Sequence, residues 1–380
     1  MIYLRLQDET VLEFDLDSGI FHSDNPAKLP VGLRDNLVFD DDSRKAFMKN
    51  YDSVMTFFTT RSLNIKRENA KKILNALHIS QSSDYDTVLK TMIMCKALSV
   101  TDDYWITQNQ NEKWEDVNLR ENPLHTTIAQ IALSGVTLTV TGKIHTPELT
   151  GQGAYAKAWY RENGKLYLYK AGTAGNCEAQ VEASVSKILD ATNAPHVEYL
   201  MDKKEGLKVT KCLNMCSDEV SIVPAEAVQR WCNRTGRNFD DFVTKLDPEN
   251  YYKMMVVDYL IANSDRHGQN WGFYMNNKTG ELLGLHPLYD HNNAFDEQEM
   301  KLPGGGDSLI MEDKTKEEAA KYAMKRCNFK ITADLTRNAF CCMKHYNYFK
   351  EKAESLGLNL TPSKKSTKDR LMKSIKSIIR

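Results

Sequence analysis

The sequence predicts an α+β protein in three parts: a mixed α/β N-terminal accessory domain (residues 1–134), a strand-rich lobe (135–215) and a helical lobe (216–380). Three observations predict this division. Short alternating runs of apolar and polar residues fill the first 22 positions, the same alternation dominates from residue 136 onward, and helical periodicity prevails after residue 223. The length of 380 residues fits two or three domains, at roughly 150 residues each.

Composition excludes several classes of protein. Fifty basic and 51 acidic residues leave a net charge of −1, so no global field attracts nucleic acid or an anionic membrane. The first residues carry charges every few positions, which predicts no secretory signal. The longest apolar stretch, residues 254–262, is interrupted by Asp258 and is too short to span a bilayer. We therefore predict a cytoplasmic protein without a transmembrane segment.

The eight cysteines include no C-x-x-C pair. Cys212 and Cys216 stand four apart and Cys341 is next to Cys342, but no paired histidines accompany either group, as a structural zinc site would require. We expect reduced thiols in a reducing cytosol, most of them buried.

The N-terminal region is predicted to contain short strands in residues 1–22 and helices over about 43–60, 66–78 and 84–98. Trp105 and Trp114 are expected to attach the following loop to a core. A helix-turn-helix within these helices is an alternative, although a solvated charged face is the commoner reason for their local basic character.

Strand patterns dominate the next part. Residues 136–142 (VTLTVTG) alternate, and residues 156–172 form two alternating runs joined at Asn163-Gly164, a typical hairpin turn. A helix over about 178–193 and a strand pair (HVEYLMD and LKVTKCL) follow. Asp247-Pro248 predicts a helix start, and one long helix is predicted from Thr332 to Leu356.

Residues 261–295 carry the most chemical information. A buried helix leads to a polar loop with Asp265, His267 and Asn270, and a hairpin then returns the chain to Asp290. Carboxylate and amide oxygens suit Mg²⁺. Phosphoryl transfer needs one Asp at the attacking hydroxyl, with an Asn and an Asp at the metal. A hydrogen-bonded loop closing the helix is the alternative explanation.

Three further features precede that segment. A turn rich in glycine, Thr150 to Tyr155, lets backbone N–H groups approach a polyphosphate, although a plain hairpin turn has the same composition. Lys170 ends the strand LYLYK, either as a phosphate-contacting lysine or as an edge residue with an exposed ammonium. Glu182 on the next helix is its predicted partner, and Glu178 is the rival.

These motifs together resemble the HipA-like serine/threonine kinases, a divergent branch of the protein-kinase fold. The resemblance rests on ANSDRHGQNWGF, LYDHNNAF, TGQGAYAKAW and LYLYK, and it spans about residues 145–300, with weaker support to 350. It implies a two-lobed kinase-like catalytic region that uses ATP and Mg²⁺. By this resemblance Asp265 is the catalytic base, Asn270 and Asp290 are Mg²⁺ ligands, and Lys170 contacts the α- and β-phosphates.

The resemblance implies further roles. Thr150, three positions before Gly153, corresponds to the family's autophosphorylated hydroxyl residue, and Lys157 to a recurrent lysine of the same loop. The predicted nucleotide contacts are the glycine loop and the adenine hinge: Gly151, Gln152, Gly153, Ala154, Lys157, Lys211, Cys212, Leu213 and Asn214. His267 is expected to brace the catalytic loop.

The match has limits. No Gly follows Asp290, so the sequence lacks the D-F-G of ordinary protein kinases, and residues 1–130 match the family poorly. An antitoxin-like or regulatory partner is implied by resemblance alone, and no substrate is implied.

Two other functions stay open. A phosphoinositide-type lipid kinase shares the D-R-H-x-x-N spelling, but residues 290–308 hold five acids and one lysine, which disfavours a polyanionic headgroup. A nucleotide-binding regulator without transfer activity has no need for both Asp265 and Asn270. The basic final twenty residues predict a terminal helix docked on the body, with membrane or nucleic-acid contact as the alternative.

Overall fold

The computed structural model describes residues 1–41, 43–82, 84–173 and 177–361. The predicted C-terminal basic helix lies outside these residues. The chain divides into two compact units. The first comprises Met1–Ala179, Tyr199–Leu246 and Gly268–His286, and the second comprises Gln180–Glu198, Asp247–His267 and the chain from Pro287 onward. The predicted boundaries after residues 134 and 215 both fall inside the first unit, so the three-part division stays a prediction.

The described residues form strands and helices in a mixed order. The strands are β1 (Ile2–Leu6), β2 (Glu9–Asp15), β3 (Ile20–His22), β4 (Tyr104–Thr107), β5 (Lys157–Glu162), β6 (Lys165–Ala171), β7 (Leu200–Lys204), β8 (Leu207–Leu213), β9 (Val220–Pro224), β10 (Gly272–Asn276) and β11 (Leu282–Leu285). The helices are α1 (Arg44–Arg61), α2 (Ala70–Ala76), α3 (Tyr85–Met94), α4 (Thr126–Ser134), α5 (Glu178–Asp190), α6 (Ala225–Arg234), α7 (Phe239–Leu246), α8 (Pro248–Leu260), α9 (Lys316–Met324) and α10 (Met343–Ser355).

An antiparallel sheet in the order β3-β2-β1-β4 opens the first unit. Trp105 on β4 is fully buried in a core cluster with Leu98, Val117 and Leu166, and Trp114 packs against this cluster. The prediction that the two tryptophans pack against a core is therefore confirmed, but Trp105 lies on a strand paired with β1 and not in a loop.

A second sheet in the order β5-β6-β8-β7 follows. Asn163 (φ 50°) and Gly164 (φ 76°) form the turn between β5 and β6, as the sequence predicts, because this tight turn requires two left-handed residues. The register of this hairpin places Lys157 opposite Lys170.

The third sheet, β11-β10-β9, also belongs to the first unit. β10 pairs antiparallel with β9, and α6 follows β9 directly. This connection positions the loop that precedes β10, which contains Asn270.

In the second unit, α8 packs against α9 and α10. Asp247 caps α8 by accepting a hydrogen bond from the Asn250 N–H at 3.2 Å, and Pro248 occupies the first turn. This helix start is the one that the Asp-Pro pair predicts.

Two further element predictions are wrong. Residues 136–142 form no strand, and Val136 and Leu138 are exposed, because alternation alone does not supply a neighbouring strand within the described residues. The long helix from Thr332 is replaced by non-α-helical chain with a short 3-10 helix at Arg337–Ala339, until α10 begins at Met343. In that stretch Ile331 bridges Thr192, and the Leu335 N–H donates to the Leu360 carbonyl at 3.0 Å, so tertiary bonds replace helical ones.

The eight cysteines are free thiols, and Cys95, Cys212, Cys216 and Cys232 are buried. Cys177, Cys341 and Cys342 are exposed, so the prediction of buried thiols holds for only half of the eight. Within the described part of the chain, each helix is too short or too polar to cross a bilayer.

Candidate active site

The predicted catalytic loop leaves the end of α8 in the second unit. This helix buries most of its side chains, including Asp258 in its last turn (5% exposed). Ala262 adopts a left-handed conformation (φ 44°) just after the helix, which ends the helical path and starts the loop. Asp265 therefore follows a rigid, buried helix at a distance of a few residues.

Arg266, directly after Asp265, is the anchor of this loop. Its side chain is 1% exposed and forms an ion pair with Asp258, with Nη2 at 2.9 Å from Oδ1. Nη1 donates to the Tyr289 carbonyl at 3.1 Å, and Nη2 lies 3.2 Å from Nδ1 of His291. One guanidinium thus connects α8 to the residues on both sides of Asp290.

A second set of contacts joins the same two loops. Nδ2 of Asn293 donates to Oδ2 of Asp265 at 2.9 Å, and the Ser264 hydroxyl donates to the Asn293 carbonyl at 3.2 Å. Nε2 of His267 lies 3.4 Å from Oδ1 of Asp265. The second unit therefore brings the Asp265 and Asp290 loops together.

Asp265 and Asp290 are both partly exposed. Asp290 has a left-handed backbone (φ 59°), which is uncommon for a residue other than glycine and turns its loop sharply. The Asp290 residue is thus partly accessible to solvent, whereas the Arg266–Asp258 pair is buried.

Asn270 lies in the first unit and is 6% exposed. Its loop is fixed to the start of α6, because the Glu226 N–H donates to the Gly268 carbonyl and the Ala225 N–H to the Trp271 carbonyl, both at 2.9 Å. A side chain at Gly268 would stand 2.9 Å from the Glu226 nitrogen, so this close approach requires glycine.

Lys170 lies on β6 in the first unit and is 7% exposed. Its Nζ is 5.4 Å from the centre of the Tyr199 ring, a cation–π contact. Glu182 is buried on α5 in the second unit, and Glu178 accepts a hydrogen bond from the Thr173 hydroxyl at 2.8 Å. The pairing of Lys170 with either glutamate stays a prediction.

The glycine turn, defined here as residues 150–155, belongs to the first unit. Gly153 has φ 97°, a conformation that favours glycine, and a side chain there would collide with Nζ of Lys157. Lys157 thus lies against the turn, and its phosphate contact stays a prediction. Thr150 is buried, and its hydroxyl donates to the Leu98 carbonyl at 2.6 Å.

The predicted hinge, Lys211 to Asn214, forms the end of β8 and the residue after it. The Lys211 ammonium donates a hydrogen bond to the Asp202 carboxylate, with Nζ 2.7 Å from Oδ2, and this bond raises the pKa of Lys211. Cys212 is buried and Leu213 is exposed. The Asn214 N–H donates to the Leu166 carbonyl at 2.9 Å, which fixes the end of the strand.

The predicted metal ligands are hard oxygen donors, which fit Mg²⁺. Among the described residues no three His, Cys, Asp or Glu side chains cluster as a metal site. A protein-bound Mg²⁺ commonly takes only one or two carboxylates and completes its shell with water and phosphate oxygens. The carboxylate of Asp290 and the amide of Asn270 are compatible with that role.

The sequence analysis did not predict the roles of Arg266 and Asn293, or the ion pair that Asp258 forms. A signal for the pair was present, since a carboxylate in the apolar run of α8 needs a buried cation. Arg266, eight residues later, is that cation. Asn293 carried no comparable signal, because only the folded loops place it beside Asp265.

Comparison with known protein families supports the resemblance of this region to the HipA-like family. The profile of the HipA-like C-terminal domain matches residues 227–354, which include Asp265, Asn270 and Asp290. The resemblance to the HipA-like family that the motifs indicate is thereby confirmed for this part of the chain. No sequence among the curated proteins matches significantly.

Two solved structures are similar to the chain. HipA of Shewanella oneidensis MR-1, in a toxin–antitoxin complex with HipB and operator DNA, has 12% identity and a TM-score of 0.50, over 94% of this chain and 96% of that one. The Helicobacter pylori proinflammatory kinase CtkA has 16% identity and a TM-score of 0.43, over 55% of this chain and 91% of that one. The likeness to HipA confirms a mixed α/β fold of the HipA type.

Proposed function

We propose that this protein is an ATP-dependent kinase that transfers the γ-phosphate to a Ser or Thr hydroxyl of a protein. The observation that carries the proposal is the pair of loops holding Asp265 and Asp290, joined by Arg266 and Asn293 within a region that matches the HipA-like C-terminal domain. Among protein functions, phosphoryl transfer makes direct use of an Asp at the hydroxyl and a second Asp at the metal.

In the proposed mechanism Asp265 accepts the proton of the attacking hydroxyl. The hydroxyl oxygen bonds to the γ-phosphorus as the bond to the bridging oxygen breaks, and ADP leaves with that oxygen. Asn270 and Asp290 would hold Mg²⁺, and the ion would supply neutralisation of the phosphate charge. Asn293 and His267 keep the Asp265 carboxylate oriented, since both contact its oxygens.

The nucleotide is proposed to contact residues of the first unit. Lys170 reaches the α- and β-phosphates with Glu182 as its partner, and the glycine turn with Lys157 contacts the phosphates through backbone N–H groups and an ammonium. The hinge residues Lys211 to Asn214 face adenine. This division of roles is that of a two-lobed kinase, with the strand-rich part holding ATP.

Autophosphorylation of Thr150 is part of the proposal. Because its hydroxyl is buried and donates to the Leu98 carbonyl, the glycine turn must leave its position before the hydroxyl can accept phosphate. A dianion at this buried position would then disfavour the return of the turn.

Partner and compartment are proposed by similarity. The HipA structure from S. oneidensis contains HipB and operator DNA, so an antitoxin-like or regulatory protein is a candidate partner in the cytoplasm. Residues 290–308, with five acids and one lysine, favour a protein substrate over a phosphoinositide.

The decisive experiment is the Asp265→Asn variant, assayed for transfer of labelled γ-phosphate and for MgATP binding. We expect transfer to fall at least about 100-fold, the usual contribution of a general base, with binding retained. Asp313→Asn is the matched control, because Asp313 is an exposed carboxylate of the same unit whose one ion pair among the described residues is with its neighbour Lys314. If Asp265→Asn transfers phosphate at the wild-type rate, the mechanism is wrong. If the wild-type protein binds MgATP but transfers no phosphate, the result favours a nucleotide-binding regulator without transfer activity.

A further inference from the structure

The glycine turn is attached at both ends to one short segment of the N-terminal region, residues 62–68. The Leu63 N–H donates to the Leu149 carbonyl before the turn, and the Glu68 N–H donates to the Ala154 carbonyl within it, both at 2.8 Å. Nε2 of Gln152 donates to the Ser62 carbonyl. A segment that lies outside the kinase motifs therefore sets the position of the turn.

Arg67 is the centre of this attachment. Its side chain is fully buried, and Nη2 forms an ion pair with Oε2 of Glu148 at 2.8 Å. The same Nη2 donates to the carbonyl of Lys157, and the other Glu148 oxygen accepts the N–H of Trp159 at 2.9 Å. One buried ion pair thus connects the residues just before the turn to the start of β5.

The guanidinium also lies directly beneath the turn. A methyl group added at Gly151 would stand 2.6 Å from Nη1 of Arg67. Nη1 and Nε are buried without a hydrogen-bond acceptor among the described residues. A buried guanidinium with two donor nitrogens that lack acceptors lowers the stability of the fold unless its position serves another purpose. Here that purpose is support of the turn.

We infer that Arg67 is a positioning residue of the glycine turn. Its guanidinium holds the turn in place and also holds the start of β5, which carries Lys157. Its kinetic consequence rests on the proposed function, whereas its structural consequence does not. Loss of Arg67 frees the turn and moves Lys157. The affinity for MgATP therefore falls by a larger factor than the rate of phosphate transfer in the bound complex.

The first test is hydrogen exchange of residues 149–156 in the Arg67→Met variant. We expect exchange there to accelerate by about tenfold or more, because local opening replaces a fixed turn. The matched control is Arg161→Met. Arg161 is another arginine of this unit that donates to backbone carbonyls, including that of Leu119 at 2.9 Å. Its described hydrogen bonds go to residues 119–122 and not to the turn. Unchanged exchange in Arg67→Met, or equal acceleration in both variants, overturns the inference.

The second test is kinetic. In Arg67→Met the KM for MgATP should rise by about tenfold with kcat within about twofold, and Arg67→Lys should recover part of the loss, since it keeps the charge beside Glu148. A KM equal to that of the wild type overturns the inference. If the wild-type protein transfers no phosphate, the proposed function fails, and the exchange test still decides the role of Arg67.

A double-mutant cycle with Gly151→Ala tests the contact itself. Gly151 does not have a left-handed backbone, so the substitution acts through space alone. We expect Gly151→Ala to lower the urea midpoint in the wild-type background and to have little effect in Arg67→Ala, where the space beneath is open. Additive effects of the two substitutions overturn the proposed contact.

Discussion

The guanidinium of Arg266 and the carboxylate of Asp258 form a buried ion pair in the second unit, with Nη2 2.9 Å from Oδ1. The pair joins the last turn of α8 to the loop of Asp265, and the same guanidinium reaches the Tyr289 carbonyl beside Asp290. The loops that carry the proposed base and one metal ligand are therefore fixed by a single charged side chain.

This pair should dominate the stability of the second unit. Arg266→Met leaves the Asp258 carboxylate buried without its cation, so we expect a loss of about 3–5 kcal/mol in the free energy of unfolding, measured by urea denaturation. The double variant Asp258→Leu/Arg266→Met removes both charges and should be less destabilised than the two single variants suggest. Equal stability of Arg266→Met and wild type contradicts the role of the pair.

Asn293 should matter for activity although it has no chemical role. Asn293→Ala removes the hydrogen bond from Nδ2 to Oδ2 of Asp265, so the carboxylate is held less firmly. We therefore expect transfer of γ-phosphate to fall about tenfold, a smaller loss than in Asp265→Asn. His267→Ala should have a similar, smaller effect, since its contact is longer at 3.4 Å. A loss in His267→Ala as large as that in Asp265→Asn would mean that the histidine itself transfers the proton.

Substitution of the proposed metal ligands should change the magnesium requirement. In Asp290→Asn the carboxylate becomes a neutral amide, which Mg²⁺ binds more weakly. We expect the Mg²⁺ concentration that supports half-maximal transfer to rise by about tenfold or more, a factor that corresponds to about 1.4 kcal/mol. Asn270→Ala should act in the same direction.

Asp296→Asn is a suitable comparison for the metal ligands. Asp296 lies six residues after Asp290, but its carboxylate accepts the N–H groups of Gln298 and Glu299 at 2.9 Å. This variant should keep the wild-type magnesium dependence. The same shift in all three variants would indicate a general electrostatic effect rather than coordination.

Thr150 should acquire phosphate slowly. Its hydroxyl is buried against the Leu98 carbonyl, so we expect mass spectrometry after incubation with MgATP to find phosphate on the peptide containing Thr150, at a rate limited by opening of the glycine turn. Arg67→Met, which frees the turn, should accelerate this modification. Complete absence of phosphate from residues 148–157 contradicts the autophosphorylation proposal.

Local signals predicted much of the fold. The Asn163-Gly164 turn has two left-handed residues, and Asp247-Pro248 starts α8, because both depend on neighbouring residues alone. The same logic failed for residues 136–142, which alternate like a strand but pair with no strand in the described part of the chain. It also failed after Thr332, where bonds to distant backbone replace a helix.

For the candidate site, the sequence by itself predicted the oxygen donors, because carboxylates and amides at a fixed spacing have a chemistry that does not depend on the fold, and their roles stay a prediction. It could not predict what holds them. Asp258 was visible only as an interruption of an apolar run, and Arg67 only as one basic residue among several. Their partners, Arg266 and Glu148, are 8 and 81 residues away. Only tertiary structure decided these pairs, because the energy of a buried charge depends on which opposite charge the folded chain places beside it.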